Sequence, residues 1–329
     1  MTHDHSDHDR SDHDHRHDAP HGHSHAHGHD HAHAHAHATT HFGLTFGLAT
    51  AINFALVAAQ VIYGLTAHSV ALLADAAHNA GDGLGLLLAW GAAVLGRALP
   101  TERFTYGYRS ASIHAALINA VVLLVATGAI ALEAVRRFGE PHEVASTTVI
   151  VVAAAAIVAN GVAAWLLTRG HSDDLNVRAA FAHMAADAAV SAGVVIAGIA
   201  IFLTGQSWID PAVSLAISVV IVWGTWGLLK ESVRLTMDAV PAEIEPAEVR
   251  RFLETLPGVS GVHDLHVWAM STTENALTVH LIIPAGHPGD QFLAGVCDSL
   301  VQRFRISHST LQIEMGDAHP CVLAPESKV

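Results

Sequence analysis

SVALLADAAHNAGDGLGLLLAWGAAVL, residues 69–95, has the length and apolar content of a membrane-crossing helix. A hydrocarbon layer about 30 Å thick takes roughly twenty residues at about 1.5 Å each. Yet the middle of this stretch carries Asp75, His78 and Asp82 at spacings of three and four. Those spacings put all three side chains on one helix face. An aspartate near a bilayer centre costs about 2.5–3.5 kcal/mol on insertion scales. A span that keeps such groups aligned on one face needs a function to retain them.

The pattern recurs once. RAAFAHMAADAAV, residues 178–190, places His183 and Asp187 four apart in another apolar run. Two separate spans therefore present His-x-x-x-Asp, and two His with two Asp supply the four N and O donors of a tetrahedral divalent site. Imidazole favours zinc, cobalt and their neighbours over magnesium or calcium, and the missing thiolates argue against copper(I). Ligand type restricts the metal class, so zinc, cadmium, cobalt and nickel all stay open. The competing reading, in which the two pairs only hydrogen-bond helices together, does not explain the repetition. Asp75 keeps two readings, support of the site residues or a purely structural role. There is no HExxH segment and no general base beside an open metal position, which argues against an enzyme.

Working outward, the chain has 329 residues, 51% hydrophobic and 14% charged. Six apolar spans are expected near 43–66, 69–95, 110–135, 146–168, 178–204 and 209–229, an all-α six-helix membrane bundle within residues 42–235. Asn53, Gln60, Asn119 and Asn160 interrupt the spans and are expected to hydrogen-bond between helices. With the N-terminus inside, the cytoplasmic segments hold Arg97, Arg103, Arg109, Arg169, Arg178, Lys230 and Arg234, against only Arg136 and Arg137 outside. That asymmetry predicts both termini in the cytoplasm. No cleavable signal is visible, and a multi-pass protein of a bacterial inner membrane is expected. Cys297 and Cys321 form no disulfide framework.

Residues 1–41 hold more than half of the 28 histidines, alternating with Asp, Ala, Gly and Ser. Such a segment has little to bury and is expected to be a disordered tail that captures or buffers metal. The formal charge of −14 counts those histidines as neutral. Beyond Lys230 the pattern becomes that of a soluble domain. PAEVRRFLETL (246–256) predicts a helix, VHDLHVWAM (262–270) and ALTVHLII (276–283) two strands, then a helix near 290–304 and a strand near 310–315. An α-β-β-α-β order over residues 240–318 suits an α+β domain of ferredoxin-like, metallochaperone-like type, leaving 319–329 as a tail.

HSVALLADAAHNAGD (68–82), RFTYGYRSASIHAALIN (103–119), LNVRAAFAHMAAD (175–187), WIDPAVSLAIS (208–218), GVHDLHVWAMSTTENALTVHL (261–281) and HSTLQIEM (308–315) together resemble the zinc-transporting branch of the cation diffusion facilitator family. The resemblance runs from about Phe46 to Glu314. It implies a homodimer working by alternating access, a zinc/proton antiporter that serves metal resistance. The implied transport ligands are His78, Asp82, His183 and Asp187. The His in the first position of each pair matches the zinc branch rather than manganese or iron branches. It further implies a regulatory zinc site in the cytoplasmic domain at His263, His280 and Glu314, with His308 a further candidate. An offset of three along a regular strand places His266 on the face opposite His263. The partners implied are a divalent metal ion, protons, membrane lipid and a second copy, with no cofactor and no nucleic acid. A membrane metal sensor or sink is the alternative function.

Two features depart from the family pattern. Cys321 stands beside His319 where some members have Cys-x-x-Cys, which argues against a thiolate-rich second site. TRGHSDDLN (168–176), between the fourth and fifth spans, offers only His171, the His-rich segment lying instead at the N-terminus.

Overall fold

The computed structural model describes residues 44–140, 142–168, 175–316 and 321–323. The expected His-rich tail, His171 and His319 lie outside these residues. Six long helices come first: α1 (Leu44–Thr66), α2 (Val70–Gly96), α3 (Ala111–Gly139), α4 (Ser146–Thr168), α5 (Leu175–Thr204) and α6 (Ile209–Thr236). Three helical stretches, Ala111–Gly139, Phe181–Thr204 and Ile209–Thr236, are long and apolar enough to cross a membrane, with shorter apolar stretches at Ala51–Thr66 and Ser146–Val162. Asp75, His78, Asn79 and Asp82 keep α2 out of that set.

Helices α3 and α6 run past the expected ends of their apolar spans. Charged residues end the apolar span, but they do not interrupt the backbone ladder. In α3 the last turn is basic, which suits a helix C-terminus, and Arg137 Nε meets Glu133 Oε1 at 3.0 Å. In α6 Glu231 and Arg234 pair at 3.6 Å in the same way.

Helix α4 packs along α5, and α3 packs along both α2 and α6, whereas α2 meets α5 over only a short stretch. One cluster of buried apolar side chains in the bundle lies toward one end. Ala71, Leu72 and Ala74 of α2 pack there with Val149, Val152 and Ala153 of α4, Val194 of α5, and Ile217 and Ile221 of α6. The start of α2 is pinned at this end by Asp210 of α6. Its carboxylate accepts from Ser69 Oγ at 2.5 Å and from the Val70 amide at 2.7 Å, while Ser69 Oγ accepts from the Leu72 amide. An anion on the first amides of a helix satisfies groups that have no partner within the helix. Near the site, Gly81 lets α3 approach closely, since a Cβ there would lie 2.8 Å from Leu123 Cδ1.

The second region is α7 (Pro246–Glu254), β1 (Gly261–Ala269), β2 (Asn275–Ile282), α8 (Asp290–Phe304) and β3 (Ile306–Glu314), the α-β-β-α-β order expected. The strands form one sheet in the order β1-β2-β3, with β1 antiparallel and β3 parallel to β2. Arg305, in the left-handed region at φ 56°, ends α8 and sends the chain at once into β3, which therefore starts earlier than alternation alone indicated. Val249 and Leu253 of α7 and Val296 and Leu300 of α8 cover one face of the sheet, over Val262, Val267, Leu277, Val279 and Leu281. Alternation along a strand leaves the other face to His280 and its neighbours.

This small domain touches the helical region at the segment between α2 and α3 and at the first turn of α3. Arg109 Nη1 meets Glu274 Oε2 at 2.7 Å, Ser112 Oγ accepts from the Thr272 amide at 3.1 Å, and the Tyr106 and His308 rings stack edge to face at 5.4 Å. The C-terminal end of α2 is therefore near the sheet domain, and the end pinned by Asp210 is remote from it.

Candidate metal centre

The two His-x-x-x-Asp pairs meet across the short α2–α5 contact, and they pair crosswise. His78 Nε2 of α2 lies 3.1 Å from Asp187 Oδ1 of α5. His183 Nε2 of α5 lies 3.5 Å from Asp82 Oδ2 of α2 and 3.7 Å from Asp187 Oδ2. Donors about 2.0–2.2 Å from a tetrahedral ion stand roughly 3.3–3.6 Å apart, close to these separations. His78, Asp82 and Asp187 each offer a donor atom within 4.8 Å of one another. Asp82 Oδ2 is shielded from solvent and makes no hydrogen bond among the described residues. Its contact is the ion pair with the His183 ring, and a carboxylate oxygen held against an imidazole nitrogen in this way keeps lone pairs that suit a cation.

Asp75 is not part of this group. Its carboxylate accepts from Gln60 Nε2 of α1 at 2.6 Å and from Ser191 Oγ of α5 at 2.9 Å. Asn79 Nδ2 donates to Gln60 Oε1 at 3.2 Å, and Asn53 Nδ2 to the Asn79 carbonyl at 3.4 Å. Gln60 and Asn53 thus bond between helices as expected. Asn119 Oδ1 and Asn160 Nδ2 have no hydrogen bond among the described residues, so those two atoms do not show the expected pairing.

A second donor cluster lies on the face of the sheet opposite α7 and α8. His263 of β1 is paired with His280 of β2, their rings edge to face at 5.0 Å. Glu314 at the end of β3 reaches both, with Oε2 3.0 Å from His263 Nε2 and Oε1 3.0 Å from His280 Nδ1. Cys321 Sγ lies 3.6 Å from His280 Nδ1, and all four residues offer donor atoms within 4.8 Å of one another. Burial alone would raise the Glu314 carboxyl, but the contacts with His263, Cys321 and Gln312 outweigh it and hold the group below its ordinary 4.5.

Sequence reasoning missed Cys321 as a donor. Its only signal was a thiol a few residues beyond β3, and no periodicity says where such a residue returns. His308 lies outside both groups, packed on Tyr106. The placement of His266 is also corrected. A β-bulge between His263 and His266 shifts the register, pairing them with His280 and Thr278. Since residues 278 and 280 share a face, His266 lies on the same face as His263. The extra residue of the bulge cancels one alternation.

Asp264 sits in that bulge at φ 50° and bridges two histidines, with Oδ2 3.4 Å from His280 Nε2 and Oδ1 3.0 Å from His266 Nε2. A carboxylate on Nε2 fixes the tautomer that leaves Nδ1 free to bind a cation. Asp264→Asn is expected to lower metal affinity at this cluster by about 10–100-fold while the fold persists. Titration calorimetry on the purified chain checks this, and an unchanged affinity would remove Asp264 from the cluster's support.

Comparison with known proteins supplies the family. Residues 47–237 match the cation efflux transmembrane domain, and residues 241–315 match the cytoplasmic domain of cation efflux proteins. The zinc transporter ZitB of Yersinia pestis is 37% identical over 271 residues, covering 81% of this chain and 86% of the relative. The metal cation efflux system protein CzcD of Cupriavidus metallidurans is 32% identical over 275 residues, 83% of this chain and 86% of the relative. A Bacillus velezensis protein named cadmium, cobalt and zinc/H(+)-K(+) antiporter is 30% identical over 264 residues, 78% of this chain and 83% of the relative. Apolar spans, facing His/Asp pairs and both domain matches converge: the chain belongs to the cation efflux, or cation diffusion facilitator, family of multi-pass membrane transporters, which are not enzymes.

Proposed function

We propose that this protein exports zinc, and with it cadmium or cobalt, from the cytoplasm in exchange for protons. The cargo binds His78, Asp82, His183 and Asp187 as a tetrahedral His2Asp2 site. The observation that carries this reading is the crosswise pairing, in which each histidine faces the aspartate of the other helix. Four donors from two helices that touch only briefly bind a cation without a rigid cage, as a site that must also release its cargo requires. The names of the ZitB, CzcD and Bacillus velezensis relatives support the metal class and the antiport.

Proton exchange follows from the ligand chemistry. Histidine titrates near neutrality, so a proton and a metal ion compete for the same nitrogen. Metal arriving from the cytoplasmic side displaces protons, and protons on the far side displace the metal. The six long helices are the six spans, with both termini in the cytoplasm of a bacterial inner membrane. The sheet domain is a ferredoxin-like unit that holds two protomers together and carries a regulatory zinc at His263, His280, Glu314 and Cys321. The tail 1–41 gathers metal for the site.

The test is zinc-dependent proton movement in sealed proteoliposomes. Acidifying the compartment that receives the metal is expected to accelerate zinc release, and sustained turnover is expected rather than saturation. Flux indifferent to the pH gradient would remove the antiport. Uptake that stops at a stoichiometric amount would identify a membrane metal sensor or sink.

A further inference from the structure

The α2–α5 contact carries three successive polar rungs. Asp75 faces Ser191, His78 faces Asp187, and Asp82 faces His183. The numbers rise along α2 as they fall along α5, so the helices run antiparallel and each rung is about one turn from the next. Exposure changes in one direction along the ladder. Asp75 and Ser191 are both 0% exposed. The side chains are 19% and 9% exposed for His78 and Asp187, and 23% and 36% for Asp82 and His183. Exposure of the site side chains thus rises toward the sheet domain, and the contact is fully buried at the remote end, where the Ala71–Val194 cluster of buried apolar side chains also sits.

The rung at the buried end holds none of the four proposed transport ligands. It is also the rung braced by a third helix, through Gln60 of α1 at 2.6 Å and, behind it, Asn79. Gln60 is 0% and Asn79 2% exposed. Hydrogen bonds to a charged acceptor away from water are among the stronger ones, and breaking them leaves a costly unpartnered group. The carboxylate therefore ties α1 and α5 to α2 where their separation would open the site to the other side.

We infer that Asp75, held by Ser191 and Gln60, is a positioning residue that clasps the transport pathway shut at the end remote from the sheet domain. The inference rests on the transport reading, because only a site reached alternately from two sides needs such a closure. Asp75 binds no cargo in this role. It sets which side the site faces, and the rung parts when the site turns.

The test reads accessibility rather than transport. In the full chain with Cys297→Ser and Cys321→Ser, a reporter Val194→Cys is placed in the shut region, where Val194 is fully buried. The protein is reconstituted in vesicles, and a membrane-impermeant thiol reagent is applied from the side remote from the sheet domain. Asp75→Asn and Ser191→Ala are each expected to raise the labelling rate about tenfold, a population shift of about 1.4 kcal/mol. Ser191→Thr, which keeps a hydroxyl, is expected to label slowly. A second reporter, Ala120→Cys, in a buried part of α3, is expected to stay unlabelled. Zinc affinity at the membrane site, compared with the same Cys297→Ser and Cys321→Ser background, is expected to stay within about threefold, since all four transport ligands remain. Unchanged labelling at position 194 overturns the clasp, and so does labelling that rises equally at position 120, which signals general loosening. If Asp75→Asn does not fold, Ser191→Ala, which removes a single hydroxyl, decides alone. Failure of the transport reading looks different: metal flux would survive loss of Asp82 and Asp187 whatever the labelling shows.

Discussion

Asp187→Ala is expected to abolish zinc-driven flux, with a loss of at least about 100-fold in rate and a comparable loss of zinc affinity at the membrane site. Asp187 is the hub of the site. One of its oxygens lies 3.1 Å from His78 and the other 3.7 Å from His183, so it faces a histidine of each helix. Removing it leaves two imidazoles and Asp82, which together no longer supply four donors or balance a divalent charge. Asp187→Asn separates these effects, since it keeps the volume and one acceptor oxygen but loses the charge. It is expected to recover less than about one tenth of the flux, because the harder of the two demands is charge. Asp82→Ala is expected to match Asp187→Ala. The measurement is initial zinc flux in proteoliposomes containing equal amounts of folded protein. Flux that survives both alanine substitutions would place the pathway elsewhere in the bundle.

The second large effect belongs to the sheet domain. In a full-length chain already carrying Asp82→Ala and Asp187→Ala, tight zinc binding outside the His-rich tail is expected to remain at His263, His280, Glu314 and Cys321. His280→Ala is expected to remove it by more than the roughly 10–100-fold that loss of an outer partner costs, because His280 is itself a donor. Cobalt distinguishes the thiol. A thiolate-to-metal charge-transfer band is expected with the four donors intact and absent in Cys321→Ser, since Cys321 Sγ lies beside His280 Nδ1. A cobalt spectrum without that band in the unaltered chain would exclude Cys321 from the ligand set. With the membrane site restored, His263→Ala with His280→Ala is expected to change the zinc dependence of transport and leave dimerisation intact. An unchanged dependence would reduce the cluster to a structural staple.

Much of the architecture was legible in the residues. A membrane helix must satisfy its backbone within one continuous segment; each expected span coincides with a long helix, and three of these stretches are long and apolar enough to cross a membrane. The ends were less legible. Polar residues such as Lys230, Glu231 and Arg234 signal the end of the apolar span, but α6 continues through them to Thr236 because its backbone ladder does not depend on side-chain polarity. In the sheet domain, alternation identified three strands but not the bulge at Asp264. That bulge adds one unpaired residue and puts His266 on the face of His263. A residue at positive φ with a short polar side chain is tolerated there, and no period in the sequence marks it.

What the sequence determined by itself is the pair of His-x-x-x-Asp motifs and the helices that bear them. The spacing of four fixes a common helix face within each span, and the N and O groups there are of the types that suit a zinc-like cation. Only the tertiary structure decided which donors meet. The crosswise match of His78 with Asp187 and of His183 with Asp82 depends on two antiparallel helices packed in one register. The same packing drew Asp75 away from the donors toward Ser191 and Gln60, and the chain beyond β3 brought Cys321 to His280. Spacing along one helix is a local property of the backbone, whereas register between helices comes from the packing of the whole bundle. A sequence therefore names the donors on each helix, and the fold decides which of them face one another.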